Sequence, residues 1–193
     1  MTSRVILISP AMSAALREAR FDDGCPLEDG AAARARSAAG LLPRAGRALT
    51  APGVRCRQTA SALGLDASEA PGLAGLDVGR WRGRTLAEVS AAEPEAVAGW
   101  LSDPAAAPHG GESVREFCGR IANWLAEDGV FSGRTVAVVE PDVVRAVTVR
   151  ALGAPEAAFW RIDVPPLHAV EFSGRAGRWN LTPGRPLDRS PDH

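Results

Sequence analysis

The sequence predicts an α/β fold, a three-layer sandwich with a mostly parallel central sheet between helices, on three observations. "RVILIS" at positions 4–9 and "RTVAVVE" at 134–140 are compact, β-branched apolar runs without alternation, which is how strands buried on both faces read. Segments of helical period lie between and after them, so the order is strand then helix, repeated. The chain is 193 residues long and 46% hydrophobic, enough for one good core and too short for two full domains.

The elements follow in order. After the first strand, "LEDGAAARARSAAGLL" from Leu27 predicts a helix, "RALTA" at 47–51 a short strand and "VRCRQTASALG" from Val54 a second helix. From Asp66 to Gly111 the chain is richer in Gly, Pro and Ala and carries short helical pieces, "TLAEVSAAEP" and "EAVAGWL", which predicts a lid inserted over one end of the sheet. "SVREFCGRIANWLAEDG" from Ser113 places Val114, Phe117, Ile121, Trp124 and Leu125 on one helical face, with Ser113 as N-cap. "DVVRAVTVRALG" is a further helix, and "HAVEFSG" with "RWNL" a terminal hairpin. Residues 1–181 thus make one domain, and the tail 182–193 lacks an apolar period and is expected to be disordered.

Composition removes several classes of partner. The formal charge is −1 with both signs interspersed, so nothing favours capture of nucleic acid or an anionic membrane. No stretch approaches membrane-spanning length. Cys25, Cys56 and Cys118 are odd in number and widely spaced, which implies neither a disulfide framework nor a zinc site, and a reducing, cytoplasmic setting fits. All the basic residues other than histidine are arginine, and lysine and tyrosine are absent; this reads as coding bias and weakens the meaning of any single arginine.

Ligands of open α/β sheets bind beyond the carboxyl ends of the strands. Here those ends read Ser9-Pro10-Ala11 and Glu140-Pro141-Asp142, with a proline at equivalent places after two central strands.

Four stretches in order resemble the histidine phosphatase superfamily, the phosphoglycerate mutase-like fold, over positions 4–181. They are "CPLEDGAAARARSAAGLL", "TAPGVRCRQTASALGL" with an arginine before Gln-Thr-Ala, "LAGLDVGRWRGRTLAEV" with Gly-x-Trp-x-Gly, and "HGGESVREFCGRIANWL". The resemblance implies that the first strand should end in Arg-His-Gly, the histidine being the phosphate-accepting nucleophile; Ser9, Pro10 and Ala11 stand there. It implies a second histidine where Pro141-Asp142 stands, and a leaving-group acid where Gly75 stands, with Asp77 the nearest carboxylate. Of the core phosphate ligands only Arg55 matches.

Phosphoryl transfer through a covalent intermediate needs a nucleophile, donors for the transferred oxygens and an acid. Proline has no side-chain donor or lone pair and lacks a backbone N–H. Removing one member of such a unit can cost on the order of 10⁶-fold in kcat. The resemblance therefore implies a catalytically inactive relative, a pseudoenzyme that binds a small molecule or protein partner in a remodelled cleft formed from Ser9, Pro10, Arg55, Asp77, Glu140, Pro141, Asp142 and His168. No cofactor is expected, and a homodimer is compatible with the family. Glu140 and Asp142 are placed to neutralise Arg55. The alternative is an enzyme of different chemistry, with Asp77, Glu140, Asp142 or His168 as acid, base or metal ligand. Cys56, beside Arg55, is either a thiol activated by a helix N-terminus or a small core residue.

Overall fold

The computed structural model describes residues 3–126, 133–175 and 178–187. Six strands form one sheet: β1 (Ser3–Ile8), β2 (Arg47–Thr50), β3 (Ser68–Glu69), β4 (Arg134–Val138), β5 (His168–Arg175) and β6 (Arg178–Pro186), in the spatial order β3-β2-β4-β1-β5-β6. The first four are mutually parallel, and β5 and β6 add an antiparallel edge. Val5 to Ile8 and Val136 to Val138 are at most 4% exposed, as the uninterrupted apolar runs required.

The described residues include seven α-helices: α1 (Ala14–Arg17), α2 (Asp29–Ser37), α3 (Val54–Ala62), α4 (Leu86–Ala92), α5 (Pro94–Ser102), α6 (Val114–Ala126) and α7 (Pro141–Leu152). On α6 the predicted face is buried through Val114, Phe117, Ile121 and Trp124. Ser113 Oγ accepts the Glu116 backbone N–H while the Glu116 carboxylate accepts the Ser113 N–H, a reciprocal cap that fixes where the helix starts. Glu127, Asp128 and Gly129, included in the predicted helix, lie outside the described residues. Pro141 opens α7 at a position whose N–H has no intrahelical partner, and Gly153 ends it at φ 61°, a left-handed conformation suited to glycine.

Two expectations need correction. The tail does not lose structure at residue 182: β6 continues to Pro186 against β5, and Leu187 is fully buried, its N–H donating to the Leu167 carbonyl. Residues 188–193, with His193, lie outside the described residues. Within the span 66–111, Ser68–Glu69 pairs with β2 and so belongs to the sheet; the remainder carries two 3-10 turns, α4 and α5. Trp81 and Trp100 from this span are core residues, packed on Phe21 at 5.7 and 5.8 Å between ring centroids.

The order of strands positions the site. β4 lies between β2 and β1 in parallel register, Thr50 opposite Val138 and Ile8 opposite Val138. The three carboxyl ends are level, and α3 and α7 begin just beyond two adjacent ones.

Candidate functional site

Helix α3 enters through Pro52-Gly53 and places Arg55 in its first turn; α7 enters through Glu140. Because β2 and β4 are neighbours, the two side chains meet. Arg55 Nε donates to both Glu140 oxygens at 3.0 and 2.9 Å, and Nη2 donates to Oε2 at 2.5 Å. The side chains are only 11% and 8% exposed. The Cys56 thiol donates to Glu140 Oε1 at 3.3 Å. Asp22 stands farther off, its Oδ1 3.9 Å from Arg55 Nε.

Two glycines make room for this carboxylate. A Cβ on Gly53 would sit 2.9 Å from Glu140 Oε1, and one on Gly75 would sit 3.0 Å from Glu140 Cγ. Glu140 therefore fills a slot that side chains at 53 and 75 would close.

Burial pushes the Glu140 carboxyl above its ordinary range, and the Arg55 donors pull against that shift without reversing it. Burial also opposes the charge on Arg55, but the hydrogen bonds and charge of Glu140 outweigh it and hold the guanidinium above its ordinary value. Cys56 is raised well above the usual thiol range by burial, and the Glu140 charge adds to it. The activated-thiol reading of Cys56 fails for that reason: it is a buried thiol facing a carboxylate.

Arg55, Asp77, Glu140, Pro141 and Asp142 line one cleft of about 490 Å³. Asp142 does not reach Arg55; its Oδ1 accepts from Arg145 Nη1 at 2.9 Å, one turn along α7. Asp77 lies at the lip, accepting the Gly79 N–H at 3.0 Å with Arg82 at 3.6 Å.

The other three expected cleft residues lie elsewhere. Ser9 is fully buried, donating from Oγ to the Pro165 carbonyl at 2.5 Å and accepting the His168 N–H at 3.0 Å. Pro10 is buried, and its carbonyl accepts the Leu167 N–H. The turn that follows β1 is thus stitched to residues 165–168 and turned from the cleft. His168 packs over β6, where a Cβ on Gly184 would come within 2.6 Å of its ring. It shares no site with Glu140 and Asp142, so these three do not form the metal-ligand set considered from sequence.

The cleft also contains residues that sequence reasoning passed over: Arg20, Phe21, Asp22 and Arg82. Asp22 and Phe21 lie in an irregular segment after α1 with no periodicity to betray them. Together the lining groups comprise four guanidiniums (Arg20, Arg55, Arg82, Arg145) and four carboxylates (Asp22, Asp77, Glu140, Asp142).

The fold defines an α/β domain whose cleft lies at the carboxyl ends of adjacent parallel strands, beside the N-termini of α3 and α7. The chain belongs to the histidine phosphatase superfamily (branch 1), whose family model matches residues 14–183, a span that begins just after Ser9-Pro10-Ala11. A bifunctional protein of Mycobacterium tuberculosis, Rv2228c, is 33% identical over 147 residues, covering 70% of this chain and 40% of that protein. Among solved structures, the mycobacterial glucosyl-3-phosphoglycerate phosphatase Rv2419c superposes with a TM-score of 0.81 at 22% identity, over 94% of this chain and 97% of that one. The α-ribazole phosphatase of Shigella flexneri gives 0.82 at 19% identity, over 98% and 100%. These likenesses establish the phosphoglycerate mutase-like fold.

Proposed function

We propose that this chain is a catalytically silent member of the superfamily, a cytoplasmic ligand-binding domain that uses the remodelled cleft to hold a small molecule without phosphoryl transfer. The observation that carries this reading is the Arg55–Glu140 pair: the one matching phosphate ligand is engaged in two-pronged fashion by the chain's own carboxylate. A bound phosphate would have to displace a buried counter-ion that already satisfies the guanidinium, and would meet the Glu140 charge. The positions of the nucleophile and the second histidine carry Pro10 and Pro141, whose side chains have no donor or lone pair, and Cys56 is held as the thiol. The reading as an enzyme of different chemistry, with Asp77, Glu140, Asp142 or His168 as acid, base or metal ligand, has less support, because the three carboxylates each face an arginine and His168 packs on the hairpin.

The test is hydrolysis of a chromogenic aryl phosphate together with thermal unfolding in phosphate and vanadate. Expected are phosphate release at the uncatalysed rate and no rise in melting temperature with either anion. Turnover that disappears in Arg55→Ala would overturn the proposal.

A further inference from the structure

We infer that the cleft takes a neutral, hydroxyl-bearing ligand, a sugar or nucleoside lacking its phosphate, recognised by two residues that line it together, Arg55 through the Nη1 that Glu140 leaves unused and Asp22 through its carboxylate. The inference rests on the silent reading above and names the ligand class of that same site.

The first support is charge. The cleft's guanidiniums and carboxylates are equal in number. Arg55 is matched by Glu140, Arg145 by Asp142 and Arg82 by Asp77, at 2.5, 2.9 and 3.6 Å. Arg20 pairs with Glu18 at 2.6 Å and donates to the Gly83 carbonyl. A phosphomonoester entering such a cleft gives up its hydration and finds no net positive field in return. A neutral ligand escapes that cost.

The second is unused hydrogen-bonding capacity. Glu140 engages Nε and Nη2 of Arg55; among the described residues none accepts from Nη1, and Arg55 lines the cleft. Asp22 lines the same cleft, its Oδ1 3.9 Å from Arg55 Nε, too far for a hydrogen bond; that oxygen accepts the Gly24 N–H at 3.4 Å, which leaves the carboxylate lone pairs to spare, and the side chain is 26% exposed. A hydroxyl both donates and accepts, so a single hydroxyl can take a hydrogen from Arg55 and give one to Asp22. A fully ionised phosphate group only accepts, so in that place it would face the Asp22 charge with no hydrogen to give it.

The third is shape. Phe21 and Val164 line the same cleft as the polar groups, giving an apolar surface for the C–H face of a sugar ring or for a base. The volume, about 490 Å³, falls in the range of small-molecule sites.

The experiment is saturation-transfer NMR followed by calorimetry on the whole chain with paired probes: glucose, ribose and adenosine, each against its phosphomonoester. Expected is binding by at least one neutral probe, with its phosphomonoester at least about tenfold weaker, a difference of about 1.4 kcal/mol. Asp22→Asn, a substitution at a partly exposed rim position, should weaken the neutral probe and narrow or reverse the preference. Glu140→Gln, if it folds, should reverse it. Failure of every neutral probe to bind, or equal or tighter binding of the phosphomonoester to the wild type, would overturn the inference. Inorganic phosphate is assayed in the same samples: its release sinks the silent reading, whereas no release with no neutral binding sinks only the ligand assignment.

Discussion

Removing one member of the Arg55–Glu140 pair is the sharpest probe of the site. In Glu140→Ala the Arg55 side chain, only 11% exposed in the intact pair, loses its counter-ion and all three carboxylate contacts. Breaking a buried pair in this way costs about 3–5 kcal/mol. For a chain of this length each kcal/mol moves the melting temperature by about 2–4 °C, so a fall of about 6–20 °C is expected. The vacated slot then exposes a guanidinium at the N-terminus of α3, and inorganic phosphate should occupy it. At about a hundred times Kd the anion returns about 2.7 kcal/mol, recovering about 5–11 °C. The assay is differential scanning calorimetry of wild type and variant across a phosphate titration, with ionic strength held constant. The double variant Arg55→Met, Glu140→Met removes both charges and should unfold near the wild-type temperature, because a buried pair is often neutral against apolar replacements. A Glu140→Ala protein that melts within about 2 °C of wild type, or that ignores phosphate, would refute the idea that Glu140 stands in for the anion.

Three further outcomes follow from the same geometry. Gly75→Glu places a Cβ 3.0 Å from Glu140 Cγ and a second carboxylate beside the first; it should destabilise by about 1–3 kcal/mol, and a double-mutant cycle with Glu140→Ala should show relief, whereas strict additivity of the two changes would remove the claim of a shared slot. Glu140 is raised by burial, so the folded state holds its proton more tightly than the unfolded chain; its contribution is complete below the ordinary glutamate value and is lost as pH rises through the raised one. Glu28, Glu88, Glu93 and Glu116 are lowered by hydrogen bonds and act with the opposite sign, stability being lost as pH falls, so the wild-type-minus-Glu140→Gln difference in urea midpoints against pH is the quantity to measure, and a flat difference above the ordinary value contradicts it. In maleimide labelling of the native protein Cys25 should react before Cys118, which burial pushes up to about 12, and fully buried Cys56 only on unfolding; a native Cys56 adduct would contradict its placement.

The layers were legible because the central strands are buried on both faces and have no polar alternation to confuse the reading, and because Ser113 and Pro141 mark helix starts by local chemistry. The pairing of Arg55 with Glu140 was legible too, since both follow carboxyl ends of strands that had to lie close. Ser9, Pro10 and His168 were misplaced for one reason: sequence position says that a residue follows a strand, while the direction of the turn depends on hydrogen bonds from Ser9 to Pro165 and His168, 156 and 159 residues away. The tail was misread because strand β6 is mostly exposed at the sheet's edge, Thr182 to Pro186 throughout, so its polar residues imitate disorder. Arg20, Phe21 and Asp22 carried no signal at all, being placed by irregular backbone.

The substitutions in the cleft make physical sense as a set. An arginine buried at a helix N-terminus is tolerable in a phosphate-binding domain when the ligand supplies the compensating charge. Once the residues at 10 and 141 are prolines, nothing at those two positions helps retain that ligand, and Arg55 would spend its time buried and unpaired, at a cost of several kcal/mol. A carboxylate from position 140 removes the cost, but only if the wall opposite offers space. The resemblance to active relatives would put the leaving-group acid at position 75, and that is the position where glycine now leaves a gap a Cβ would close to 3.0 Å. On the proposed silent reading, loss of the acid and gain of the internal counter-ion are one steric exchange: a carboxylate entering from 140 is crowded by any side chain at 75. A protein in which restoring the histidines at 10 and 141 brought back phosphate transfer while Glu140 and Gly75 remained in place would break this logic, because the incoming phosphate and Glu140 would have to occupy the same donors of Arg55 at once.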